Sequence, residues 1–225
     1  MPVIAIVGAG DGLGASIARV FGKHGFRVAL LARSQHRLDA LTTQLKTEGI
    51  EAAGFTVDVM DRPSLATAFA RVKERFGAVD VLEYSPAVST PGTVLDMVTP
   101  LQVTPENLQP QLDFYLNGAV AAAAQVLPEM LETGAGTLLF TTGGGSVSPI
   151  PMMGNVNAAS AALRNWVLNL NQELADKGVY AVHVAIGVWM GSADPHDEPA
   201  AVAERYWDLY TTRDQAELVY LPLDD

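Results

Sequence analysis

The chain has 225 residues, of which 49% are hydrophobic and 17% are charged, so it is expected to fold around one continuous core rather than remain disordered. It contains no cysteine, which excludes disulfides and thiolate metal sites and fits a reducing cytoplasm as its location. Its net charge of −11 argues against nucleic acid or an anionic membrane as a partner.

The amino-terminal region carries a short apolar run, Val3–Val7, that ends at a glycine. A strand buried on both faces of a sheet has this pattern, whereas a signal peptide carries a basic flank and a small-residue cleavage site. Elsewhere no stretch approaches the ~18 consecutive apolar residues that a membrane-spanning helix needs. We therefore expect a first strand here and no targeting or membrane segment.

Apolar stretches alternate with helical patterns along the rest of the chain. Continuous apolar runs predict further strands at Phe26–Leu31, Ala52–Val57, Val79–Leu82, Gly136–Thr142 and Val179–Ile186. Helical spacing predicts helices from Leu13 to His24, across Leu38–Leu45 up to Gly49, at Leu65–Phe76 and at Met153–Lys177. After a polar turn, Ser192–Pro199, we expect one more helix and a short apolar piece, Leu218–Leu221.

A loop rich in proline, serine and threonine follows the predicted fourth strand, from Ser85 to Pro105. Thr104 followed by Pro105 is typical of a helix N-cap with proline in the first turn. Pro110 is then expected to break this helix, which leaves a short turn and a separate long helix that runs to about Glu132.

This alternation of strands and helices predicts a parallel sheet with helices on both faces, joined by right-handed crossovers. The predicted fold class is therefore α/β, a doubly wound, Rossmann-type sheet in three α/β/α layers. No linker, repeat or low-complexity tract interrupts the pattern, so residues 1–225 are expected to form a single domain.

The turn after the first strand is rich in glycine. The amino end of a helix offers a phosphate unpaired N–H groups and the positive end of the helix dipole. Glycines let a pyrophosphate approach the main chain, and they permit positive φ angles. A tight structural turn is the alternative, but the position between a strand and a helix favours a dinucleotide site. The predicted cofactor contacts in this turn are Gly8, Asp11, Gly12, Leu13 and Gly14.

The end of the second strand predicts which dinucleotide binds. NAD-specific proteins carry an acid there for the ribose 2′-hydroxyl, whereas this chain has Ala32 and Arg33. A guanidinium pairs with a 2′-phosphate, so we predict NADP in preference to NAD; a solvated surface arginine is the alternative. Asp58 and Val59, at the end of the third strand, are expected near the adenine, although Asp58 is equally well placed to cap the next helix.

Several further segments combine with the glycine turn into one pattern. They are Val57-Asp58-Val59, Val79-Asp80-Val81-Leu82, Leu116-Asn117-Gly118, Leu127-Pro128-Glu129-Met130 and Ala158 to Leu163. With them the chain resembles the short-chain dehydrogenase/reductase family up to about residue 190. The resemblance implies hydride transfer between NADP and a small carbonyl or alcohol. It also implies that Ser85 and Gly187 lie at the cofactor.

The family's chemistry depends on a serine after the fifth strand and on a tyrosine and a lysine on the next helix. Aligned with that pattern, this chain has Gly143 for the serine, Val156 for the tyrosine and Ser160 for the lysine. No shift of register restores the pair, because residues 116–179 contain no tyrosine and residues 74–176 no lysine. The family's acid–base residues are therefore expected to be missing.

Other side chains are weak candidates for the missing proton donor. Asn117 is the one residue of the family's catalytic set that is retained, and bonding within its helix is the alternative. Thr142 and Ser146 are hydroxyls near the expected nicotinamide end, where bonding to the local main chain is the alternative. Tyr84 is a phenol near the carboxyl end of the sheet, but with a pKa near ~10 it is a poor acid at neutral pH, so packing is the alternative. His183 is expected to be a core or hydrogen-bonded histidine.

A polar segment near residue 195 imitates a metal site. It contains Asp194, His196, Asp197 and Glu198. Because prolines flank them, these side chains are expected to cap the following helix and to contact solvent, and no metal is predicted.

Two classes of function remain open. The first is an oxidoreductase that works without the usual tyrosine; because a positioned general acid contributes ~10²–10⁴ in rate, its substrate would need to be activated. The second is a non-catalytic sensor or interaction protein that binds the same cofactor.

The expected partners are a small molecule and further copies of the chain. Apolar residues indicate an apolar ligand pocket: Met152, Met153, Val156 and Trp189. The predicted long helices, 110–132 and 153–177, carry alanine-rich faces, and the equivalent helices of the family build a dimer. A homodimer or homotetramer is therefore predicted.

Overall fold

One parallel sheet organises the fold. The structure, a computed structural model, describes residues 1–87, 92–190 and 194–221. The strands within these ranges are β1 (Val3–Val7), β2 (Arg27–Ala32), β3 (Ala52–Thr56), β4 (Val81–Tyr84), β5 (Gly136–Gly143), β6 (Val179–Ile186) and β7 (Glu217–Tyr220). They lie in the order β3-β2-β1-β4-β5-β6-β7, and every neighbouring pair is parallel. The order reverses between β1 and β4, which opens a crevice outside their carboxyl ends.

Helices cover both faces of this sheet. They are α1 (Leu13–Lys23), α2 (Gln35–Thr47), α3 (Arg62–Phe76), α4 (Pro105–Leu112), α5 (Gly118–Thr133), α6 (Gly154–Leu174) and α7 (Pro199–Thr212). Apolar side chains of α1, α2 and α7 form one core against the sheet, and those of α3, α5 and α6 form a second core on its other face. The prediction of a doubly wound, Rossmann-type fold in three layers is confirmed.

The helical region after the long loop differs from the sequence prediction. Thr104 caps α4 as predicted, because its hydroxyl accepts a hydrogen bond from Asn107 N. The prediction that Pro110 breaks the helix is wrong, since α4 runs through it and the ring removes only one main-chain donor. The irregularity lies at Asp113–Asn117 instead, a π-helical turn that joins α4 to α5.

The fourth strand starts two residues later than predicted. The Asp80 carboxylate accepts a hydrogen bond from Val3 N at 2.7 Å, and pairing with β1 begins only at Val81. The strand also ends two residues later than predicted, at Tyr84, whose side chain lies inside the core.

The last apolar segment of the described chain forms a strand. It is β7, which pairs with β6 from His183 opposite Glu217 to Ile186 opposite Tyr220 and occupies an edge of the sheet. Part of the turn predicted from Ser192 lies outside the described residues, as do residues 88–91 of the long loop. None of the helices in the described ranges is long and apolar enough to cross a membrane.

Candidate functional site

A cavity of about 910 Å³ opens at the carboxyl ends of the strands. Its wall comes from the glycine turn before α1, the segment after β4, the end of β5, the start of α6 and the segment after β6. Doubly wound sheets bind their ligands at this edge, where the strand order reverses. The volume lies at the upper end of the usual range for ligand sites, so the cavity is a candidate for a large ligand.

The glycine turn is closely packed at Gly8 and Gly14 and open at Gly12. Gly8 has a φ angle of +98°, and a Cβ there would lie 2.5 Å from Pro86 N. A Cβ on Gly14 would lie 3.0 Å from Ala9 Cα. A Cβ on Gly12 would meet no atom of the described residues within 4 Å, so the space beside Gly12 is free for a ligand.

The first turn of α1 offers main-chain donors near this space. Gly12 is the N-cap, the first α-helical bond runs from Ser16 N to Gly12 O, and Ala15 N donates to Gly10 O in the turn. The N–H groups of Leu13 and Gly14 therefore have no main-chain acceptor among the described residues. Free N–H groups at the amino end of a helix suit a phosphate, and the absence of a side chain at Gly12 leaves space for one.

Arg33 follows β2 directly and is exposed. Within the described part of the chain its guanidinium takes part in no ion pair, so its charge is free for an anionic ligand. Asp11 is exposed on the glycine turn.

The end of β3 is organised by two aspartates with different partners. Asp58 is exposed, and its carboxylate accepts a hydrogen bond from Met60 N at 3.0 Å. The cap of α3 is Asp61, whose carboxylate accepts from Ser64 N, so capping of this helix is not the role of Asp58. Val59 is buried, 6% exposed.

The two positions assigned by resemblance on the other strands lie differently. Ser85 borders the cavity directly after β4. Gly187 packs against its neighbours, because its N–H donates to Tyr220 O at 2.8 Å and a Cβ on Gly144 would lie 2.9 Å from Gly187 Cα. Four residues outside the glycine turn and Arg33 were expected near the cofactor: Asp58, Val59, Ser85 and Gly187. Of these, only Ser85 lines the cavity.

A buried carboxyl group lies on β4, next to β1. Glu83 is 0% exposed and accepts hydrogen bonds from Ser85 Oγ at 3.0 Å and from Thr141 Oγ1 at 3.1 Å. The Thr141 hydroxyl lies 2.7 Å from the Tyr206 hydroxyl on α7. Burial raises the pKa of Glu83 to about 8, although the two hydrogen bonds lower it. The carboxyl is therefore mostly protonated at neutral pH.

A second polar network connects the cavity wall with the edge strand. Thr142 Oγ1 lies 2.8 Å from Ser146 Oγ and 2.9 Å from His183 Nε2. His183 Nδ1 lies 2.9 Å from Glu217 Oε1, and Arg164 binds both oxygens of Glu217 at 2.5 and 2.8 Å. Thr142 and Ser146 border the cavity, whereas His183 is 0% exposed. A hydroxyl, an imidazole and a carboxylate thus lie in series behind the wall.

The ionisable groups of this network differ in their charge at neutral pH. The hydrogen bond from Arg164 lowers the pKa of Glu217, although partial burial raises it. Burial lowers the pKa of His183, although the contact with Glu217 raises it. At neutral pH the network therefore contains a carboxylate, a guanidinium and a neutral imidazole.

Two of the candidate catalytic residues lie outside the cavity wall. Tyr84 is 0% exposed, and its hydroxyl donates to Phe114 O at 2.5 Å; burial raises the pKa of this phenol. The Asn117 amide donates to Asp113 Oδ1 at 2.8 Å, within the π-helical turn. These contacts show that Tyr84 packs in the core and that Asn117 bonds within its own helical segment.

The positions that the resemblance gives to the family's serine, tyrosine and lysine all border the cavity. Gly143 and Val156 have no proton to transfer there, and the Ser160 hydroxyl carries no charge at neutral pH. Among the described lining residues, Asp96 and Tyr115 are the only ionisable ones. Burial raises the pKa of Tyr115, which makes it a weaker acid.

The remaining wall is largely apolar, as the sequence predicts. Met153, Val156 and Trp189 line it, and Trp189 is 88% exposed; Met152 is not among the lining residues. Other apolar lining residues are Leu95, Met97, Ile186, Val188 and Met190. A ligand with an apolar part fits this wall.

The polar segment near residue 195 is arranged as a capped turn. The Asp194 carboxylate accepts from His196 N at 2.8 Å, and the His196 ring stacks on Tyr220. The described residues contain no group of three or more His, Cys, Asp or Glu that could hold a metal ion.

Sequence reasoning missed the partner of His183. His183 is a hydrogen-bonded core residue as predicted, but the sequence separates it from Glu217 by a turn and a helix. The pair exists because β7 adds to the sheet with Glu217 opposite His183. An ionisable residue beginning the apolar run Leu218–Leu221 was the only local signal.

Comparison with known proteins identifies the family of the chain. A family model described as short chain dehydrogenase matches residues 2–194. Dehydrogenase/reductase SDR family member 4 of Bos taurus is 28% identical over 188 residues, which are 83% of this chain and 65% of that protein. A Streptomyces coelicolor protein provisionally named a ketoacyl reductase is 30% identical over 212 residues, which are 92% of this chain and 76% of the relative. The chain thus spans just under two thirds of the length of the bovine relative.

Solved structures agree with this result. A variant of the actinorhodin polyketide ketoreductase with NADPH has a TM-score of 0.86 and 25% identity, with 98% of this chain and 95% of that chain covered. The alcohol dehydrogenase of the archaeon Thermococcus sibiricus, in complex with 5-hydroxy-NADP, has a TM-score of 0.81 and 25% identity, with both chains fully covered.

Proposed function

This chain belongs to the short-chain dehydrogenase family, and on that premise we propose that it is an NADP(H)-dependent oxidoreductase acting on a small carbonyl or alcohol substrate. The observation that carries the proposal is the open space beside Gly12, at the amino end of α1 and within the cavity. Solved relatives that contain NADPH or a derivative of NADP support the choice of nucleotide.

The residues around the cavity fit a dinucleotide phosphate. The N–H groups of Leu13 and Gly14 would hold the pyrophosphate, with Gly8 and Gly12 beside it and Asp11 at the edge of the turn. The free charge of Arg33 would pair with the 2′-phosphate. Further contacts are proposed for Asp58, Val59, Ser85 and Gly187. When bound, the nucleotide supplies or accepts the hydride of the reaction.

The apolar wall would orient the substrate and exclude water. Met153, Val156 and Trp189 would contact its apolar part, and the hydroxyls at the end of β5 would contact its reacting oxygen. The proton cannot come from the family's tyrosine position, where this chain carries Val156. The candidates that the sequence offers are Thr142, which borders the cavity, and Tyr84 and Asn117, which contact other protein groups.

A test of nucleotide preference follows from Arg33. We expect wild-type protein to bind NADPH at least tenfold more tightly than NADH in fluorescence titrations. Arg33→Ala is expected to weaken NADPH binding roughly 10–100-fold, the value of a charge-assisted hydrogen bond, and to leave NADH binding unchanged. Arg205→Ala removes an exposed arginine on α7 and serves as the control. Equal affinity of the wild type for both nucleotides would contradict the proposal.

A second candidate function is a non-catalytic NADP(H)-binding sensor or interaction protein. The observation in its favour is Val156 and Ser160 on the cavity wall, where the resemblance places the acid–base pair. A screen of NADPH oxidation with activated ketones and enones, and of NADP⁺ reduction with secondary alcohols, separates the two functions. Turnover that Gly12→Asp abolishes supports the enzyme, whereas binding without any turnover supports the sensor.

The proposal extends to assembly and location. We propose a homodimer or homotetramer formed through α5 and α6, the helices with alanine-rich faces. Action in the cytoplasm, expected from the cysteine-free composition, is also part of the proposal.

A further inference from the structure

The hydrogen-bond partners in the network behind the cavity wall restrict where its protons lie at neutral pH. Glu217, held by Arg164, is a carboxylate and only accepts hydrogen bonds, so His183 donates to it through Nδ1. Because His183 is neutral, its Nε2 carries a lone pair that can accept a hydrogen bond from the Thr142 hydroxyl at 2.9 Å. Two other acceptors are within reach of the same hydroxyl, Ser146 Oγ at 2.8 Å and Gly143 O at 3.2 Å, while the Ser146 hydroxyl donates to Gly143 O at 3.0 Å. Rotation of the Thr142 hydroxyl directs its proton to His183 Nε2, the one base among these acceptors. The imidazole is therefore set to remove a proton from Thr142.

We propose that Thr142 is the catalytic proton acceptor for a substrate hydroxyl, and that His183 and Glu217 are positioning residues that draw the proton onward to His183 Nε2. This inference rests on the proposed oxidoreductase function and supplies the proton path that Val156 and Ser160 do not. A carboxylate and an imidazole that orient and polarise a hydroxyl form the same sequence of groups as in serine hydrolases.

The proton transfer balances within the chain. The O–H bond of the substrate alcohol breaks and its proton joins Thr142 Oγ1, while the Thr142 proton joins His183 Nε2. The electron pair left on the substrate oxygen forms the carbonyl bond, and the adjacent carbon loses its hydrogen together with the C–H bonding pair, as a hydride that a bound NADP⁺ would accept. The imidazolium that results lies against the Glu217 carboxylate, which compensates its charge. Carbonyl reduction reverses each transfer.

Other groups of the cavity wall are less suited to the role. Tyr115 is the one phenol among the described lining residues, but no described hydrogen bond links it to a base, and burial makes it a weaker acid. The Asp96 carboxylate accepts from Gly92 N and Thr93 N, within its own loop. Ser160 has no described imidazole partner. The Ser85 and Thr141 hydroxyls contact Glu83, whose carboxyl is mostly protonated at neutral pH and is therefore a poor proton acceptor. Among the described lining residues, only the Thr142 and Ser146 hydroxyls are connected to an unprotonated base.

The proposal predicts a pH profile that a purely structural network would not give. The groups that face His183 are Glu217 on β7, Arg164 on α6 and Thr142 on β5. Burial lowers the pKa of His183 below its usual 6.5, so the imidazole is ready to accept a proton at neutral pH. Alcohol oxidation is expected to fall tenfold per pH unit on the acid side of that pKa, and carbonyl reduction to fall as pH rises through it.

Nuclear magnetic resonance gives a readout that does not depend on turnover. The chain has four histidines, so nitrogen-15 imidazole spectra of the wild type and of His183→Gln assign His183 directly. We expect Nδ1 to be protonated and Nε2 unprotonated at pH 8, and Thr142→Val to shift the Nε2 resonance. The pKa measured for His183 is expected to match the acid limb of alcohol oxidation. A limb near pH 8 instead would report Glu83 and would overturn the proposal.

Variants of Thr142 give the decisive comparison. With the secondary alcohol that the wild type oxidises fastest, Thr142→Val is expected to lower kcat at least 10²-fold and leave the affinity for NADPH unchanged, because valine keeps the shape and loses the hydroxyl. Thr142→Ser is expected to retain most of the activity. His183→Gln is expected to lose the acid limb of the pH profile. Unchanged NADPH binding shows that each variant is folded.

The outcomes separate this inference from the proposed function. Wild-type turnover that survives Thr142→Val within threefold, or that is lost in Tyr115→Phe instead, overturns the proton path alone. Hydrolysis of p-nitrophenyl acetate by the wild type and not by Thr142→Val would assign acyl transfer to the same groups and would also overturn it. Wild-type protein that turns over neither alcohols nor carbonyls overturns the proposed function, and the proton path with it.

Discussion

Two buried ionisable side chains lie on the strands on either side of β5, and their environments shift their pKa values so that both are uncharged at neutral pH. Glu83 has only neutral partners, Ser85 and Thr141, so desolvation dominates and the carboxyl retains its proton. His183 is equally enclosed, but it touches the carboxylate of Glu217. The imidazole therefore has a partner that compensates its charge if it gains a proton, whereas Glu83 has none if it loses one. This difference makes His183 suitable for transient proton uptake and Glu83 a source of pH-dependent stability.

The first residue-scale prediction concerns Glu83. Its pKa of about 8 in the folded protein exceeds the ordinary 4.5, so the folded protein holds a proton that the unfolded chain has released between these pH values. The unfolding free energy of the wild type is therefore expected to fall as pH rises from about 4.5 to about 8. Glu83→Gln lacks this loss, and from pH 6 to pH 8 it should gain roughly 2 kcal/mol relative to the wild type.

Urea unfolding at both pH values measures this difference. Glu204→Gln, an exposed change on α7, is the control and should follow the wild type. Parallel stability curves for Glu83→Gln and the wild type would show that Glu83 is already charged in the folded protein.

At the scale of elements, the contact between β4 and the start of α5 is a closely packed part of the frame around the site. The Tyr84 hydroxyl at the end of β4 donates to Phe114 O in the π-helical turn. Gly118, the first residue of α5, faces that hydroxyl so closely that a Cβ would overlap it. The π-helical turn thus brings the Phe114 carbonyl to the phenol, and Gly118 leaves room for the ring hydroxyl.

The corresponding prediction is a coupling between two substitutions. Gly118→Ala is expected to destabilise the protein by about 1–3 kcal/mol through overlap with the Tyr84 hydroxyl. Tyr84→Phe alone should cost about 1 kcal/mol for the lost hydrogen bond. Because phenylalanine frees the space, the double variant should be more stable than the sum of the two by about 1 kcal/mol in a double-mutant cycle. Additive effects would mean that the alanine clashes only with Val59 O, 3.1 Å away.

At the scale of the whole molecule, α5 presents an apolar stripe to its surroundings. Val120, Ala124 and Leu131 are exposed at helical spacing on its outer side. Exposed apolar faces of this kind mark contacts between proteins, which fits the proposed homodimer or homotetramer.

Assembly is checked by light scattering. The wild type is expected at twice or four times the mass of the chain, and Ala124→Arg, which puts a charge in the stripe, should lower the mass by at least one step of assembly. Glu132→Arg, at the exposed end of the same helix, controls for charge alone. A monomeric wild type would contradict the prediction.

Sequence reasoning succeeded where the determining contacts are local. The strand–helix alternation and the glycine turn depend on neighbouring residues, so the sheet and the turn from Gly8 to Gly14 could be predicted. The start of β4 could not, because it depends on a hydrogen bond from Val3 N to Asp80. The pairing of His183 with Glu217 depends on where β7 joins the sheet, and no local pattern specifies that.

The order of elements in the crevice has a consequence for how the protein matures on the ribosome. The groups proposed to hold the nucleotide emerge early, with β1 and α1, whereas the carboxylate that polarises His183 arrives only with the edge strand β7. A domain generally folds as a unit, so the sheet can be completed only after the segment that carries Glu217 has left the ribosome. On this basis the proposed proton path is the last part of the crevice to be assembled, after the glycine turn that is made first.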